Sequence, residues 1–152
     1  MNEKMREILD FAIEREYEAA KFYKELQSNV KHQASKEILK EFEIMELGHA
    51  KMLEGFKSKG ETGVEQFNPK KVQDMKLSEY LVAPEVGKET TYQDAIVLAM
   101  KREEAARDLY QKMADQSDDP AVKGLFTRLA DEEANHKHRL ETVYDDEILY
   151  EN

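Results

Sequence analysis

Hydrophobic residues recur along this chain at alternating steps of three and four positions, over four separate stretches. That spacing brings hydrophobic side chains onto one face of an α-helix. The stretches cover residues from about 3 to 27, from about 35 to 57, from about 92 onward and from about 120 onward. The sequence therefore predicts four amphipathic helices, each with one face turned towards a shared core.

Short polar segments separate the first helix from the second and the third from the fourth. Asp119 followed by Pro120 is typical of an N-cap residue with proline in the first helical position. Thr91 with Asp94 is typical of a capping pair. Because short loops join antiparallel neighbours, the chain is predicted to form two helical hairpins.

A much longer connection, about residues 58–90, joins the two hairpins. Four-helix bundles with one long crossover are built in this way. Within the connection, Asn68-Pro69 precedes hydrophobic residues spaced from 72 to 81, which predicts a short amphipathic helix. We interpret the connection as a strap along the bundle, with a lid, a gate or a dimer contact as the functional alternative.

The chain also contains an internal repeat, in which residues 12–54 align with residues 99–141 without a gap. Each copy contains a lone glutamate and, further along, a Glu-x-x-His motif. These residues are Glu16, Glu46 and His49 in the first copy and Glu103, Glu133 and His136 in the second. Together they provide four carboxylates and two imidazoles, the ligand set of a carboxylate-bridged site for two metal ions inside a four-helix bundle.

All six of these residues occupy core-facing positions near the middle of their helices. In the first helix those positions are Ala12, Glu16, Ala19 and Tyr23, and the other helices repeat the same steps. Unpaired buried carboxylates are costly, and four close together would repel one another. Two divalent cations remove that penalty, and a glutamate and a histidine three positions apart reach the same ion. The alternative is a buried hydrogen-bond network without metal, which two equivalent motifs make less favoured.

Other residues near these positions have more than one interpretation. Tyr23 and Tyr110 follow Glu16 and Glu103 by two helical turns. Each is an aromatic core residue, with a hydrogen bond from its hydroxyl group to a ligand carboxylate as the functional alternative. Small residues near the ligands either leave room for a small oxidant or allow close helix approach: Ala19, Gly48 and Ala106. The remaining candidates fall away from the core and are expected on the surface: Glu14, Glu18, Glu43, Glu104, Glu132, His32 and His138.

The amino-acid composition argues against several kinds of partner and excludes several kinds of chemistry. The formal net charge of −10 argues against nucleic acid and anionic membranes as partners, because both favour a basic surface. The absence of cysteine excludes disulfides, iron–sulfur clusters, thiolate zinc sites and thiol catalysis. Neither a signal peptide nor a long apolar stretch is apparent. We therefore expect a soluble, cytoplasmic protein with a single all-α domain over residues 1–152.

These motifs resemble the rubrerythrin-like branch of the ferritin-like di-iron proteins. The resemblance rests on the segments Ala12–Glu16 through Tyr23, Glu46–His49, Arg102-Glu103 through Tyr110, and Glu133–His136. It implies a ferritin-like bundle with a non-haem centre that reacts with peroxide or dioxygen. The six repeated residues would be the ligands, with Tyr23 and Tyr110 beside them. Iron is the implied metal, while manganese and zinc remain alternatives because selectivity depends on geometry and metal supply. A homodimer is the implied assembly.

Two features depart from the family pattern. Full-length rubrerythrins carry a rubredoxin domain with four cysteines, so here an external protein would have to donate the electrons. Rubrerythrins also have a second glutamate three residues after the first on the third helix, where this chain has Ala106. Three functions therefore remain open: an oxidoreductase that reduces peroxide or dioxygen, a ferritin-like iron-handling protein with little turnover, and a manganese catalase-like enzyme.

Overall fold

A computed structural model describes residues 3–59, 74–82 and 91–149 of the chain. Most of these residues belong to four α-helices: α1 (Glu3–Leu26), α2 (Gln33–Ser58), α3 (Tyr92–Asp115) and α4 (Pro120–Leu149). The bounds agree closely with the helices that the hydrophobic periodicity predicts. Within the described ranges, every helix is too short or too polar to span a bilayer.

The predicted helix starts on the second hairpin are present. Thr91 Oγ1 accepts a hydrogen bond from the backbone N–H of Asp94 at 3.2 Å, and α3 begins there. Asp119 Oδ1 accepts hydrogen bonds from the backbone N–H groups of Ala121 at 2.9 Å and Val122 at 3.0 Å. Both side chains satisfy donors that the first turn of a helix leaves unpaired.

The start of α2 is stabilised differently, by a side chain from the other hairpin. Its N-cap residue, His32, makes no capping hydrogen bond with its own side chain. Instead, the backbone N–H groups of Lys31 and His32 each donate to one carboxylate oxygen of Glu147, at 3.1 Å. Glu147 lies on α4 and is only 1% exposed. Its charge also suits the positive end of the α2 dipole, so it joins the first loop to the last helix.

The two hairpins pack into one bundle with hydrophobic clusters on either side of its middle. α1 packs mainly along α2, and α3 packs mainly along α4. Every helix contributes to both clusters. The first cluster includes Leu9, Leu53, Met113 and Phe126, and the second includes Leu26, Phe42, Ile96 and Leu140. The glutamates and histidines of the repeat fall between the two clusters, in the middle of the bundle.

The crossover is described only over residues 74–82. It contains a short 3-10 helix, Leu77–Tyr80, which contacts α3. Met75 is buried in the first hydrophobic cluster, and Leu77 and Tyr80 pack against it. The rest of the predicted amphipathic helix, at residues 68–73, lies outside the described residues, as do residues 60–67 and 83–90. The strap and its functional alternatives therefore stay predictions.

Candidate metal centre

The six polar residues of the repeat meet in the interior, and each is at most 3% exposed. They form two overlapping groups, within which one ligand atom per residue lies within 4.8 Å of the others. One group contains Glu16 and His49, and the other contains Glu103 and His136. Glu46 and Glu133 belong to both groups. The fold therefore brings together every residue that the sequence predicted as a ligand.

Both histidines direct the same ring nitrogen towards the carboxylates. His49 Nδ1 lies 2.9 Å from Glu133 Oε1 and 3.3 Å from Glu46 Oε1. His136 Nδ1 lies 3.3 Å from Glu46 Oε1 and 3.7 Å from Glu103 Oε2. The imidazole rings are nearly parallel, with centroids 6.2 Å apart. Each ring therefore has an inner nitrogen, Nδ1, at the centre and an outer nitrogen, Nε2, facing away from it.

Many atoms at this centre are buried without a hydrogen bond of normal geometry. Within the described part of the chain they include Glu16 Oε2, Glu46 Oε1, Glu103 Oε2, both oxygens of Glu133, and Nδ1 of His49 and His136. Buried polar atoms in proteins are nearly always paired, so a cluster of unpaired ones needs an explanation. Carboxylate oxygens and imidazole nitrogens are suitable donors for iron, manganese and zinc. The donor set therefore fits divalent cations, and a network without metal leaves these atoms unsatisfied.

The carboxyl groups differ in how readily they ionise. Burial raises the pKa of Glu46 and Glu133 well above the ordinary value, and the charges of Glu103 and Glu16 add to the shift. Burial acts in the same direction on Glu103, but the neighbouring Glu133 carboxyl group and His136 ring outweigh it and lower its pKa. Without metal, burial and the neighbouring charges therefore favour the neutral form of Glu46 and Glu133.

His49 also carries a proton when no metal is present. Burial alone would lower its pKa, but the adjacent Glu133 and Glu16 outweigh burial and raise the pKa to about 11. The resulting imidazolium offsets part of the negative charge around it. A cation that binds Nδ1 must displace this proton, so metal binding to the centre competes with protonation.

Two tyrosines fix the lone glutamates across the hairpins. The Tyr23 hydroxyl group on α1 donates to Glu103 Oε1 on α3 at 2.5 Å. The Tyr110 hydroxyl group on α3 donates to Glu16 Oε1 on α1. Burial and then the facing carboxylate raise the pKa of each tyrosine well above its ordinary value, so both hydroxyl groups remain neutral donors. Each lone glutamate thus has Oε1 fixed and Oε2 free to face the centre.

The outer nitrogens of the two histidines contact different residues. His49 Nε2 lies 2.5 Å from Glu132 Oε2, whereas His136 Nε2 lies 3.3 Å from the Met45 sulfur. Glu132, expected on the surface, is partly exposed, with 30% of its side chain accessible, but its carboxylate also contacts the buried ring of His49. Glu132 flanks the buried face of α4, and its long side chain reaches across to α2. Spacing on one helix cannot reveal such a contact.

The other residues expected on the surface are mostly there. Glu14, Glu18, Glu104 and His138 are exposed. Glu43 and His32 are partly buried. Glu43 accepts a hydrogen bond from the Gln27 side chain at 2.9 Å, and His32 is the N-cap residue of α2.

A cavity of about 590 Å³ reaches the carboxylates from the side where α1 and α3 face each other. Its floor includes all four glutamates, and its wall includes Ala19, Ala106, and Tyr80 of the crossover. Ala19 and Ala106 are partly exposed because they line this cavity. Their small side chains therefore leave open space beside the ligands. Gly48 is exposed, and a Cβ atom there would meet nothing within 4 Å. Gly48 therefore neither leaves room for an oxidant at the centre nor allows a close approach of two helices.

Comparison with known proteins gives one match. The family model described as Rubrerythrin matches residues 7–144, a span that contains all six clustered residues and both tyrosines. The search of curated proteins and the search of solved structures found no match. The match confirms both the resemblance inferred from the motifs and the ferritin-like four-helix bundle.

Proposed function

This chain belongs to the rubrerythrin family, and from that premise we propose that it is a di-iron oxidoreductase. Its substrate would be a small oxidant, hydrogen peroxide or dioxygen, and an external protein would donate the electrons. One observation carries the proposal: two overlapping groups of buried glutamates and histidines have unpaired atoms that face one another. That arrangement suits two cations that share bridging carboxylates.

The overlap of the groups suggests a role for each ligand. Glu16 and His49 would bind one iron, and Glu103 and His136 would bind the other. Glu46 and Glu133 would bridge the two ions, because they belong to both groups. Bound iron would supply Lewis acidity and the electrons that reduce the oxidant.

The tyrosines and the cavity would prepare the centre for this chemistry. Tyr110 and Tyr23 each hold Oε1 of a lone glutamate, which orients Oε2 towards the metal positions. The cavity between α1 and α3 gives a small oxidant a route to the carboxylates. The histidines do not line this route, so the substrate would approach from the side of the glutamates.

The proposal is tested by loading the protein anaerobically with ferrous iron and adding hydrogen peroxide and a reductant. Reduction of each peroxide to two waters consumes two electrons and two protons, so the electrons withdrawn from the reductant should equal twice the peroxide lost. Glu133→Ala should lose iron and turnover, because it removes a bridging ligand, whereas the exposed-site control Glu14→Ala should keep both. Turnover no greater than that of free iron would reject an oxidoreductase.

One residue favours a second function. Rubrerythrins have a glutamate where this chain has Ala106, which lines the cavity next to Glu103 and offers no carboxylate. A ferritin-like protein that binds or stores iron with little turnover would not need that ligand. Uptake of more than two irons per chain, or uptake without peroxide turnover, would support this iron-handling function over the oxidoreductase.

A further inference from the structure

The two halves of the centre differ in the residues that contact the outer nitrogens of the two histidines. Met45 and Glu132 correspond in the internal repeat, and each immediately precedes the glutamate of a Glu-x-x-His motif. Each contacts the outer nitrogen of the histidine on the opposite hairpin. The tyrosine hydrogen bonds and the inward direction of Nδ1, by contrast, are the same in both halves.

The outer contact matters because a histidine that binds a cation through Nδ1 carries a proton on Nε2. An acceptor for that proton fixes the tautomer and the ring orientation, and a carboxylate acceptor also strengthens the nitrogen as a ligand. Glu132 supplies a carboxylate to His49 at 2.5 Å. Met45 supplies only a thioether sulfur, a weak acceptor, to His136. The tautomer and the ring orientation of His49 are therefore better fixed for metal binding than those of His136.

The other neighbours of the two imidazole rings also differ. The Phe42 ring stacks on His136, with centroids 4.2 Å apart, and the equivalent of Phe42 in the second copy is Leu129. The Glu132 side chain is partly exposed, and its other oxygen lies 3.6 Å from Arg128 Nε. His136 is thus enclosed by an aromatic ring and a thioether, whereas His49 faces the carboxylate of a partly exposed side chain.

We propose that the two metal positions are inequivalent, with the His49 position binding a divalent cation more tightly than the His136 position. Glu132 acts as a positioning residue for His49, and Met45 leaves His136 without an equivalent acceptor. The His136 position is then the one from which a cation exchanges more readily. This inference rests on the proposed function in one respect, that the six residues bind two cations.

The test isolates each position and uses Co²⁺ as the probe. His136→Ala leaves only the His49 position complete, and His49→Ala leaves only the His136 position complete. Each variant is titrated anaerobically with Co²⁺, and its visible absorption bands report binding. The first Co²⁺ should bind His136→Ala about 10- to 100-fold more tightly than it binds His49→Ala, the usual effect of a partner to a ligating histidine. Equal affinities would overturn the inference.

Substitution of the outer contacts then assigns the cause. Glu132→Gln should weaken Co²⁺ binding about 10- to 100-fold in the His136→Ala protein and leave the His49→Ala protein unchanged. Met45→Glu should strengthen binding only in the His49→Ala protein, and Met45→Gln tests the same point with a neutral acceptor. Asp131→Asn, which removes an exposed charge next to Glu132, should change neither. Equal weakening by Glu132→Gln in both proteins, or the same effect from Asp131→Asn, would show that the inference is wrong.

Titration of the unsubstituted protein separates this inference from the proposed function. Two Co²⁺ per chain are expected, with circular dichroism showing that every variant keeps its helices. Fewer than two would reject the di-metal centre and the inference with it. Two ions per chain with equal affinities in the single-histidine variants would reject the inequivalence and leave the di-metal centre in place.

Discussion

At the scale of the residue, the side chains at this centre mainly orient one another. Glu16 and Glu103 each have one oxygen fixed by a tyrosine from the opposite hairpin, so their remaining oxygens face the centre. The residues themselves could be predicted from the sequence, because a glutamate at a core-facing position interrupts a helical periodicity that is otherwise hydrophobic. Their partners could not, because the contact from Glu132 to His49 depends on how two helices from different hairpins face each other.

Removal of the Tyr110 hydroxyl group tests whether this tyrosine orients Glu16. Tyr110→Phe leaves Glu16 Oε1 buried without a donor, which should lower the free energy of unfolding by about 1–3 kcal/mol. Metal affinity should fall about 10-fold or more, because Glu16 is no longer oriented. Both are measured by urea denaturation and by Co²⁺ titration. Tyr17→Phe is the matched control, since Tyr17 is exposed and bonds Glu54 away from the centre. An equal effect from the control would contradict the assigned role.

At the scale of the helices, the sequence predicted the helix bounds well and the side-chain contacts between the two hairpins poorly. Hydrophobic steps and capping residues are local signals, and they gave the starts of α3 and α4. Ala19 and Ala106 occupy expected core positions, yet a cavity keeps them partly exposed. The start of α2 depends on Glu147, which is far away along the chain. Glu147 follows Leu140 and Val143 at the core-facing steps of α4, so its burial could be predicted, but its partners in the first loop could not.

The contact from Glu147 to the start of α2 gives a prediction for the helices. Glu147→Ala removes the acceptor for the N–H groups of Lys31 and His32, and should cost about 0.5–2 kcal/mol of stability, as loss of an N-cap does. Thermal or urea unfolding measures the loss. Hydrogen exchange should also quicken at the first turn of α2. Glu141→Ala, an exposed change on the same helix, should have little effect; if both variants unfold alike, the contact contributes nothing.

The whole molecule combines two related hairpins so that a polar centre lies between two hydrophobic clusters. Four buried carboxylates oppose folding unless cations or protons neutralise them. The internal repeat made this centre predictable, because equivalent residues in two copies had to meet if the hairpins packed together. The differences between the copies beside the ligands, such as Met45 and Glu132, then determine how far the two halves of the site diverge.

The pH dependence of stability follows from the same balance. Glu46, Glu133 and His49 have pKa values in the folded protein above those of the unfolded chain, so the metal-free fold binds extra protons. The stabilisation from the two glutamates is complete below the ordinary glutamate pKa and is lost as pH rises through the raised values. The stabilisation from His49 is lost as pH rises from its unfolded pKa, about 6.5, through the folded value of about 11. Metal-free protein should therefore melt at a lower temperature at pH 9 than at pH 6, and saturating metal should remove the difference. A melting temperature that rises with pH in the metal-free protein would contradict this.

The central claim is that six buried side chains bind two metal ions, and anomalous diffraction from crystals of the iron-loaded protein tests it most directly. We predict two iron peaks per chain, about 3.5–4 Å apart, with Glu46 and Glu133 between them. One peak should lie next to Nδ1 of His49 and the other next to Nδ1 of His136. A single peak, or iron bound only by surface carboxylates while these six side chains stay unoccupied, would contradict the claim.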